Sequence, residues 1–438
     1  MKKPHRFALF LTIVVALSSL VVVHAQATTG ETTFITLGST IAVEGGGVAV
    51  DGSTVTVQTA GTFNFSGTLA DGVIIVDTAD SGLVRLILNG VELHSSNGAP
   101  IHVHRAAAAA LVLADGTENH ISDADRDDDD DDTDPSAIFS APPLTVEGAG
   151  SLTVTAANQG IRVRESLALE GGNLTINAGD DAVHSEGDFV MHAGAVVISA
   201  REKGIHSTYN LEINGGSVSV LDSDEGFEGG FITINDGSVD IVARDDGINV
   251  SIPDDDTGAA NPYFLRINGG FVAVNAGGDG LDSNGSIEMT GGVVLVNGPT
   301  GDGDGALDYD LTFDISGGLL VAAGSAGMPQ APSASSAQNS VLINLKAAQP
   351  AGTLFHVQTS SGAEILTFAP AKRYQSVVFS LPELVSGESY AIYTGGSSTG
   401  AESFGLYQGG AYTPGALESS FTVEDTVTLL GNVMRRRR

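Results

Sequence analysis

The stretch LALEGGNLTINAGDDAV, residues 167–183, decides the fold. Leu167 and Leu169 alternate with polar neighbours, Gly171-Gly172 turns the chain, Leu174 and Ile176 alternate again, and Gly179-Asp180-Asp181 turns it once more before Val183. These are three short period-2 segments separated by turn residues. Working outward, the same unit returns as Phe189/Met191, Val196/Ile198 and Ile205, then Leu211/Ile213, Val218/Val220 and Phe227, then Ile232/Ile234, Val239/Ile241 and Ile248.

The second turn of each unit keeps a signature: Asn158-Gln159-Gly160-Ile161, Asp180-Asp181-Ala182-Val183, Glu202-Lys203-Gly204-Ile205, Asp224-Glu225-Gly226-Phe227, Asp245-Asp246-Gly247-Ile248, Gly278-Asp279-Gly280-Leu281 and Asp304-Gly305-Ala306. The glycine column at 160, 182, 204, 226 and 247 recurs every ~22 residues, a period that means stacked repeats rather than separate globular domains. No unit this short can bury its own apolar face. Stacking buries it against the preceding rung and pairs the backbone along one axis. At roughly 1.5–3 kcal/mol per well-buried aliphatic side chain, several such residues per rung offset much of the ordering cost. The expected fold is all-β, a right-handed parallel β-helix solenoid of about 22-residue rungs.

The beat lengthens between Gly247 and Gly280, where Pro253-Asp254-Asp255-Asp256-Thr257-Gly258 reads as a surface insertion, and again between Gly280 and Gly305. Leu265/Ile267, Gly269-Gly270, Val272/Val274 and Leu281 restore it. The expected organisation is a signal peptide over 1–25, a β-helix over 26–339, a C-terminal β region over 340–431 and a basic tail over 432–438. Lys2, Lys3 and Arg6 precede an apolar run from Ala8 to Val23, and Val23-His24-Ala25 ends it with small-residue cleavage chemistry. A membrane anchor is the competing reading, but the run is short for a span of about 20 residues. The expected location is secreted, extracellular or at the cell surface.

The chain has 438 residues, no cysteine, no tryptophan and a formal net charge of −34. A secreted protein without disulfides needs another source of stability, which a long core with bound metal would supply. Such acidity excludes nucleic acid and anionic membrane surfaces as partners and favours divalent cations.

Equivalent positions on successive rungs lie about 4.8 Å apart. Alignment on the glycine column therefore stacks Asp181, Lys203, Glu225, Asp246 and Asp279 in one row and Asp180, Glu202, Asp224 and Asp245 in another. Two residues past the column stand His184, His206, Glu228, Asn249 and Asp282. Carboxylates at this separation repel by about 1 kcal/mol in water and by several in a crowded surface. Hard oxygen ligands in such numbers suit Ca²⁺. An Asp-Gly pair taken singly is better explained by turn formation. The rows as a set favour metal, because Asn or Ser would make the turns without repulsion. Lys203 would neutralise Asp181 and Glu225 and so remove one site. Asp302, Asp304 and Asp308 form a separate alternation resembling the start of a Ca²⁺ loop, without the spacing to a closing Glu. Asp127 to Asp132 reads as solvated charge. His94, His102, His104 and His120 are a weak transition-metal candidate, and His184 and His206 read as surface or weak-ligand residues. Tyr209, Tyr263, Tyr309 and Phe227 are candidate sugar-stacking rings, with core packing the stronger reading for Phe227.

Longer segments carry a family resemblance: Arg85 to Val91 (RLILNGV), Leu113 to Asn119 (LADGTEN), Ala137 to Ser140 (AIFS), Leu144 to Gly150 (LTVEGAG), the Asp-Asp-Gly-Ile turns, Gly298-Pro299-Thr300 leading to Ala306-Leu307-Asp308-Tyr309, and Gly327-Met328-Pro329-Gln330. Together they resemble the secreted bacterial carbohydrate-binding-domain β-helix proteins. That resemblance implies a fold similar to pectate lyases and binding of Ca²⁺ and of polysaccharides of the cellulose and polygalacturonate classes. It also implies that Asp180, Asp181, Asp224, Glu225, Asp245 and Asp246 occupy the family's acidic turn columns. Ala182 and Lys203 depart from the pattern, and the segment after Ser340 resembles the family's C-terminal β region.

The leading expectation is a non-catalytic polysaccharide-binding protein. Its Ca²⁺ ligands would come from Asp180, Asp181, Glu202, Asp224, Glu225, Glu228, Asp245, Asp246, Asp279, Asp282, Asp302, Asp304 and Asp308. Tyr209, Tyr263, Tyr309 and Arg244 would contact an acidic or cellulosic plant glycan. The alternatives are a Ca²⁺-dependent lyase, with Arg201, Lys203 or Arg244 as base, and a structural adhesin or spacer. The absence of tryptophan weakens flat stacking on crystalline cellulose.

Overall fold

The computed structural model describes residues 31–124, 135–251 and 263–433. The signal segment 1–25, the acidic run Asp127 to Asp132, the insertion Pro253 to Gly258 and the tail Arg435 to Arg438 lie outside the described residues. Those described contain strands and no helix, and most strands belong to one large mixed sheet.

Three columns of strands build it. The first contains Ile101–Arg105, Ser136–Ser140, Gln159–Val163, Val183–Ser185, Ile248–Val250, Leu281–Ser283 and Leu307–Tyr309. The second contains Leu144–Gly148, Leu167–Leu169, Phe189–Met191, Phe264–Ile267, Ser286–Met289 and Phe313–Ile315. The third contains Ser151–Ala156, Asn173–Ala178, Ala195–Ala200, Ser217–Ser223, Ser238–Ala243, Phe271–Ala276, Val293–Asn297 and Leu319–Gly324. In two rungs a continuous strand, Lys203–Ile213 or Glu225–Ile234, serves the first and second columns together. Within a column each strand pairs in parallel with its counterpart one rung on: Val183 opposes Ile205, Phe189 opposes Leu211, and Val196 opposes Val218.

The period-2 residues of the repeat point inward as expected. Ile176, Ile198, Ile213, Phe227, Ile241 and Ile248 are all fully buried in one continuous core. Ala182, in the glycine column, is fully buried as well, and its amide still donates to Lys203 O at 2.9 Å.

Two kinds of glycine hold this geometry. At the turns from the second column into the third the last glycine, as at Gly172 and Gly237, has φ of 90° and 92°, where a Cβ is strained. Others are glycine because rungs approach closely: a Cβ on Gly179 would lie 1.9 Å from Ala157 O. Gly179→Ala is therefore expected to cost about 1–3 kcal/mol, as overpacking does. An unchanged urea midpoint would show that the rungs are looser than this contact implies.

Stacking begins well before the overt repeat. Thr33–Leu37 pairs in parallel with Gly61–Leu69, which pairs in parallel with Leu83–Ser95. At the other end Tyr374–Ser380 pairs antiparallel with both Leu319–Gly324 and Ser340–Gln349, and so joins the segment after Ser340 to the last strand of the third column. The alternation at Val341/Ile343 and Val377/Phe379 feeds a second core that also includes Leu295 and Val321. This pairing covers the strand edge that the stack would otherwise leave open. A separate six-stranded sheet follows.

Candidate metal and carbohydrate site

The turn from the third column into the first carries the acidic signature, and backbone hydrogen bonds fix its register. Gly160 N donates to Asp181 O (2.9 Å), Ala182 N to Lys203 O (2.9 Å), Gly226 N to Asp246 O (3.0 Å), Gly247 N to Asp279 O (2.9 Å) and Gly280 N to Gly305 O (3.1 Å). Asp181, Lys203, Glu225, Asp246 and Asp279 thus stand in one row, as the spacing predicts. Several row carboxylates also bind the next rung: Asp181 Oδ1 accepts from Lys203 N (3.0 Å), Asp246 Oδ1 from Asp279 N (2.7 Å) and Asp279 Oδ1 from Gly305 N (2.6 Å). Turn formation and charge clustering are both built into the same residues.

Beside this row, one outward residue of each first-column strand from Gln159–Val163 onward forms a ladder in register: Arg162, His184, His206, Glu228, Asn249, Asp282 and Asp308. Its character changes along the axis from cationic through imidazole to carboxylate.

At the acidic end Asp246, Asp279 and Asp282 bring carboxylate oxygens within 4.8 Å of one another, all half-buried. Burial first, and then neighbouring carboxylates, push Asp246 and Asp279 up to about 6 despite the amide bonds that they accept. Burial and the charges of Asp246, Asp279 and Asp308 push Asp282 up to about 7. Asp304 and Asp308 add to the field on Asp246 and Asp279. Gln330 Nε2 donates to Asp308 Oδ1, while Asp302 and Asp304 are exposed. The separate Asp302–Asp308 constellation therefore joins the ladder through Asp304 and Asp308. At ~4.8 Å and an effective dielectric of about 20, each pair of charges repels by roughly 3 kcal/mol before solvent screening.

The middle of the ladder differs. Lys203 forms its ion pair with Glu228, not with Asp181 or Glu225, because the outward residue of the next strand lies closer to its ammonium group. Burial lowers the Lys203 pKa, but the bond to Glu228 together with the charges of Glu228, Glu225 and Asp181 outweighs it and the net shift is upward. Burial raises Glu228, and Lys203 and Ser251 hold it below its ordinary value. Glu225, buried beside Glu228, is pushed up to about 7. Glu202 meets Arg201 at 3.5 Å, and Asp224 meets Arg244 at 3.7 Å. Asp180 is raised by burial and by the Asp181 charge. Asp245 is exposed.

At the other end Asp181 does not face carboxylates. His184 and His206 stack at 4.3 Å between ring centroids, and their Nδ1 atoms lie 3.5 and 3.4 Å from Asp181 Oδ2. The equal offset of His184 and His206 from the glycine column marked them as stacked, but only the three-dimensional turn brings the Asp181 carboxylate between their nitrogens. Among the described residues the other histidines join no group of three: His94 Nδ1 bonds Ser122 Oγ (3.0 Å), while His102 packs on Phe139 (4.9 Å) and lies 5.9 Å from His104 between ring centroids. Among the described residues, the groups of three or more that could hold an ion are Asp181/His184/His206 and Asp246/Asp279/Asp282.

The candidate sugar-binding residues separate as well. Tyr263 and Tyr309 are only 9% and 8% exposed and belong to the core, so neither ring offers a face to a glycan. Tyr263 packs on Phe231 (5.4 Å between centroids), and Tyr309 OH donates to Ala331 O (2.6 Å). Phe227 is fully buried, and Tyr209 is 40% exposed. Arg244 binds Asp222 Oδ2 (2.9 Å) and the carbonyl of Arg201. With Thr155, Asn177, Ser199, Arg201 and Asp222 it lines an open depression of about 400 Å³ along the third column.

A family model described as carbohydrate-binding domain-containing protein matches residues 51–210 and 197–347, and the chain belongs to that family. A carbohydrate-binding domain-containing protein of Acetivibrio thermocellus (strain ATCC 27405) is 35% identical over 129 residues, which are 28% of this chain and 45% of that relative. The chain thus spans less than half the length of this relative. The solved structure of a polysaccharide lyase-like protein from C. thermocellum, a gadolinium derivative, has a TM-score of 0.44 and 22% identity, covering 65% of this chain and 97% of that one.

Proposed function

We propose that this is a secreted, non-catalytic polysaccharide-binding protein that holds Ca²⁺ in its acidic ladder and uses it to engage acidic, pectin-like glycans. The observation that carries the reading is the Asp246/Asp279/Asp282 cluster with Asp304 and Asp308 beside it. Three half-buried carboxylates whose pKa values rise toward neutrality are destabilising by themselves and become favourable around a hard dication, which accepts several oxygens in loose geometry. Such an ion would also let an acidic chain hold an acidic polymer, by presenting positive charge to uronate carboxylates. The open depression beside Arg244 gives an extended glycan a surface along the same stack.

The winding proposed is a right-handed parallel β-helix over 26–339, supported by the parallel pairing of each strand with its counterpart one rung on. It is followed by a C-terminal β region over 340–431 and a basic tail over 432–438. Residues 1–25 would direct secretion and be removed.

Membership of a carbohydrate-binding family favours binding over cleavage, and so does the state of the candidate bases. Arg244 is held by Asp222 and Arg201, Lys203 is held protonated by Glu228, and a guanidinium does not deprotonate in proteins. Incubation with polygalacturonate and Ca²⁺ is expected to release no unsaturated uronides; product that disappears in Arg244→Ala would replace this reading with a lyase.

Calorimetric titration of the chelator-stripped mature protein with Ca²⁺ tests the metal directly. Saturable binding with a raised thermal midpoint is expected. Weak, salt-sensitive heats with no stabilisation would leave the acidic rows as turn formers and solvated charge.

A further inference from the structure

We infer that Asp181, His184 and His206 form a second metal site, selective for a transition ion of the Zn²⁺ class and independent of the carboxylate cluster farther along the ladder. Its donor set is one carboxylate oxygen and two imidazole nitrogens, each within 4.8 Å of the other two. Borderline-soft Zn²⁺ prefers such nitrogen-containing sets, whereas Ca²⁺ takes oxygen.

The geometry fits that class. Bonds of about 2.0–2.1 Å in a tetrahedron place ligand atoms roughly 3.3–3.4 Å apart. Asp181 Oδ2 lies 3.5 Å from His184 Nδ1 and 3.4 Å from His206 Nδ1. Both nitrogens are buried, and neither makes a well-formed hydrogen bond, so two imidazole edges converge on one oxygen without a settled partner. An unfilled requirement of this kind at buried polar atoms calls for an explanation, and an ion is one.

The surroundings hold the donors in place. His184 and His206 occupy paired positions on adjacent parallel strands, and their rings stack. Asp181 is 6% exposed, and its other oxygen accepts the Lys203 amide at 3.0 Å, which fixes the carboxylate plane as an outer-shell partner does. The nearby cations are engaged elsewhere: the Lys203 ammonium binds Glu228, and Arg162 binds Glu186 at 2.7 Å. Glu228 Oε2 lies 4.0 Å from His206 Nε2 but is committed to Lys203. The His184 and His206 side chains remain 16% and 21% exposed, so a fourth position is open to water or to a ligand oxygen.

The test is titration of the untagged, chelator-stripped mature protein with Co²⁺ in the presence of excess Ca²⁺, read by visible d–d absorption, followed by Zn²⁺ displacement. One equivalent of Co²⁺ is expected, with the absorption of a low-coordinate nitrogen-containing site, unaffected by Ca²⁺ and displaced by Zn²⁺. His184→Gln and His206→Gln, each at an outward position, are expected to weaken Co²⁺ binding at least about 10-fold, while Asp282→Asn leaves it unchanged. Either histidine variant alone suffices if the other does not fold. The inference is overturned if no Co²⁺ absorption appears, if Ca²⁺ abolishes it, or if it survives in a folded histidine variant. In that event the three groups are a packed ion-pair rung only.

Discussion

Asp282→Asn is expected to make the calcium-free protein more stable at pH 8 and to remove most of the stabilisation expected from Ca²⁺. The substitution conserves shape and removes one charge from a group in which Asp246, Asp279 and Asp282 lie within 4.8 Å. Asp282 is the member to change, because Asp246 and Asp279 also accept amides from the next rung and their loss would confuse charge with backbone structure. The pH dependence has a definite sign. The folded-state values are raised, Asp246 and Asp279 to about 6 and Asp282 to about 7, from ordinary values near 4. Between those limits the folded state binds more protons than the unfolded one, so the metal-free wild type loses stability as pH rises from about 4 to about 7. These groups are partly open to water, which discounts the loss to a few kcal/mol in all. On the proposed function, Ca²⁺ is expected to reverse the trend, contributing about 2.7 kcal/mol at a hundredfold excess over its Kd. In Asp282→Asn both the fall with pH and the gain from Ca²⁺ shrink. Thermal melts at pH 5 and pH 8, with chelator or Ca²⁺, read both; a variant less stable than wild type under chelator would show that Asp282 serves the fold and not a metal.

Phe189→Ala is expected to destabilise the protein by about 3–5 kcal/mol while leaving Ca²⁺ affinity within about twofold in the folded protein. Phe189 is fully buried in the second column, between Leu167 and Leu211 of the adjacent rungs. Truncation leaves a cavity that neighbours on both sides cannot close without breaking the parallel register. The ladder, on the turn into the first column, keeps its own backbone hydrogen bonds. Urea unfolding and calorimetry on the same sample separate the two effects. A large fall in Ca²⁺ affinity without a loss of stability would mean that the second column positions the ladder directly.

The central rungs were legible because each expresses the same three-segment code at nearly constant length. Leu174/Ile176, Val196/Ile198 and Val218/Val220 occupy equivalent positions, and the structure buries them all. The earlier rungs are as well formed, but Ile74, Ile101, Ile138 and Ile161 oppose one another across intervals of unequal length, so no fixed beat reveals them. The row of turn acids was legible for the same reason as the core. Their partners were not, since those depend on which way long side chains reach. Lys203 crosses to Glu228, and Asp181 turns under two imidazoles, facts that spacing alone does not contain. Tyr263 and Tyr309 look like glycan platforms in a sequence without tryptophan, yet both complete the core beside Phe231 and Phe313.

Affinity electrophoresis of the mature protein through gels containing polygalacturonate, with Ca²⁺ or with chelator, tests the proposed function most directly. Retardation that requires Ca²⁺, is lost with chelator and is reduced in Asp282→Asn is the predicted result. Unretarded migration in both gels, or equal retardation with chelator, would contradict a role for ladder-bound Ca²⁺ in holding the polymer.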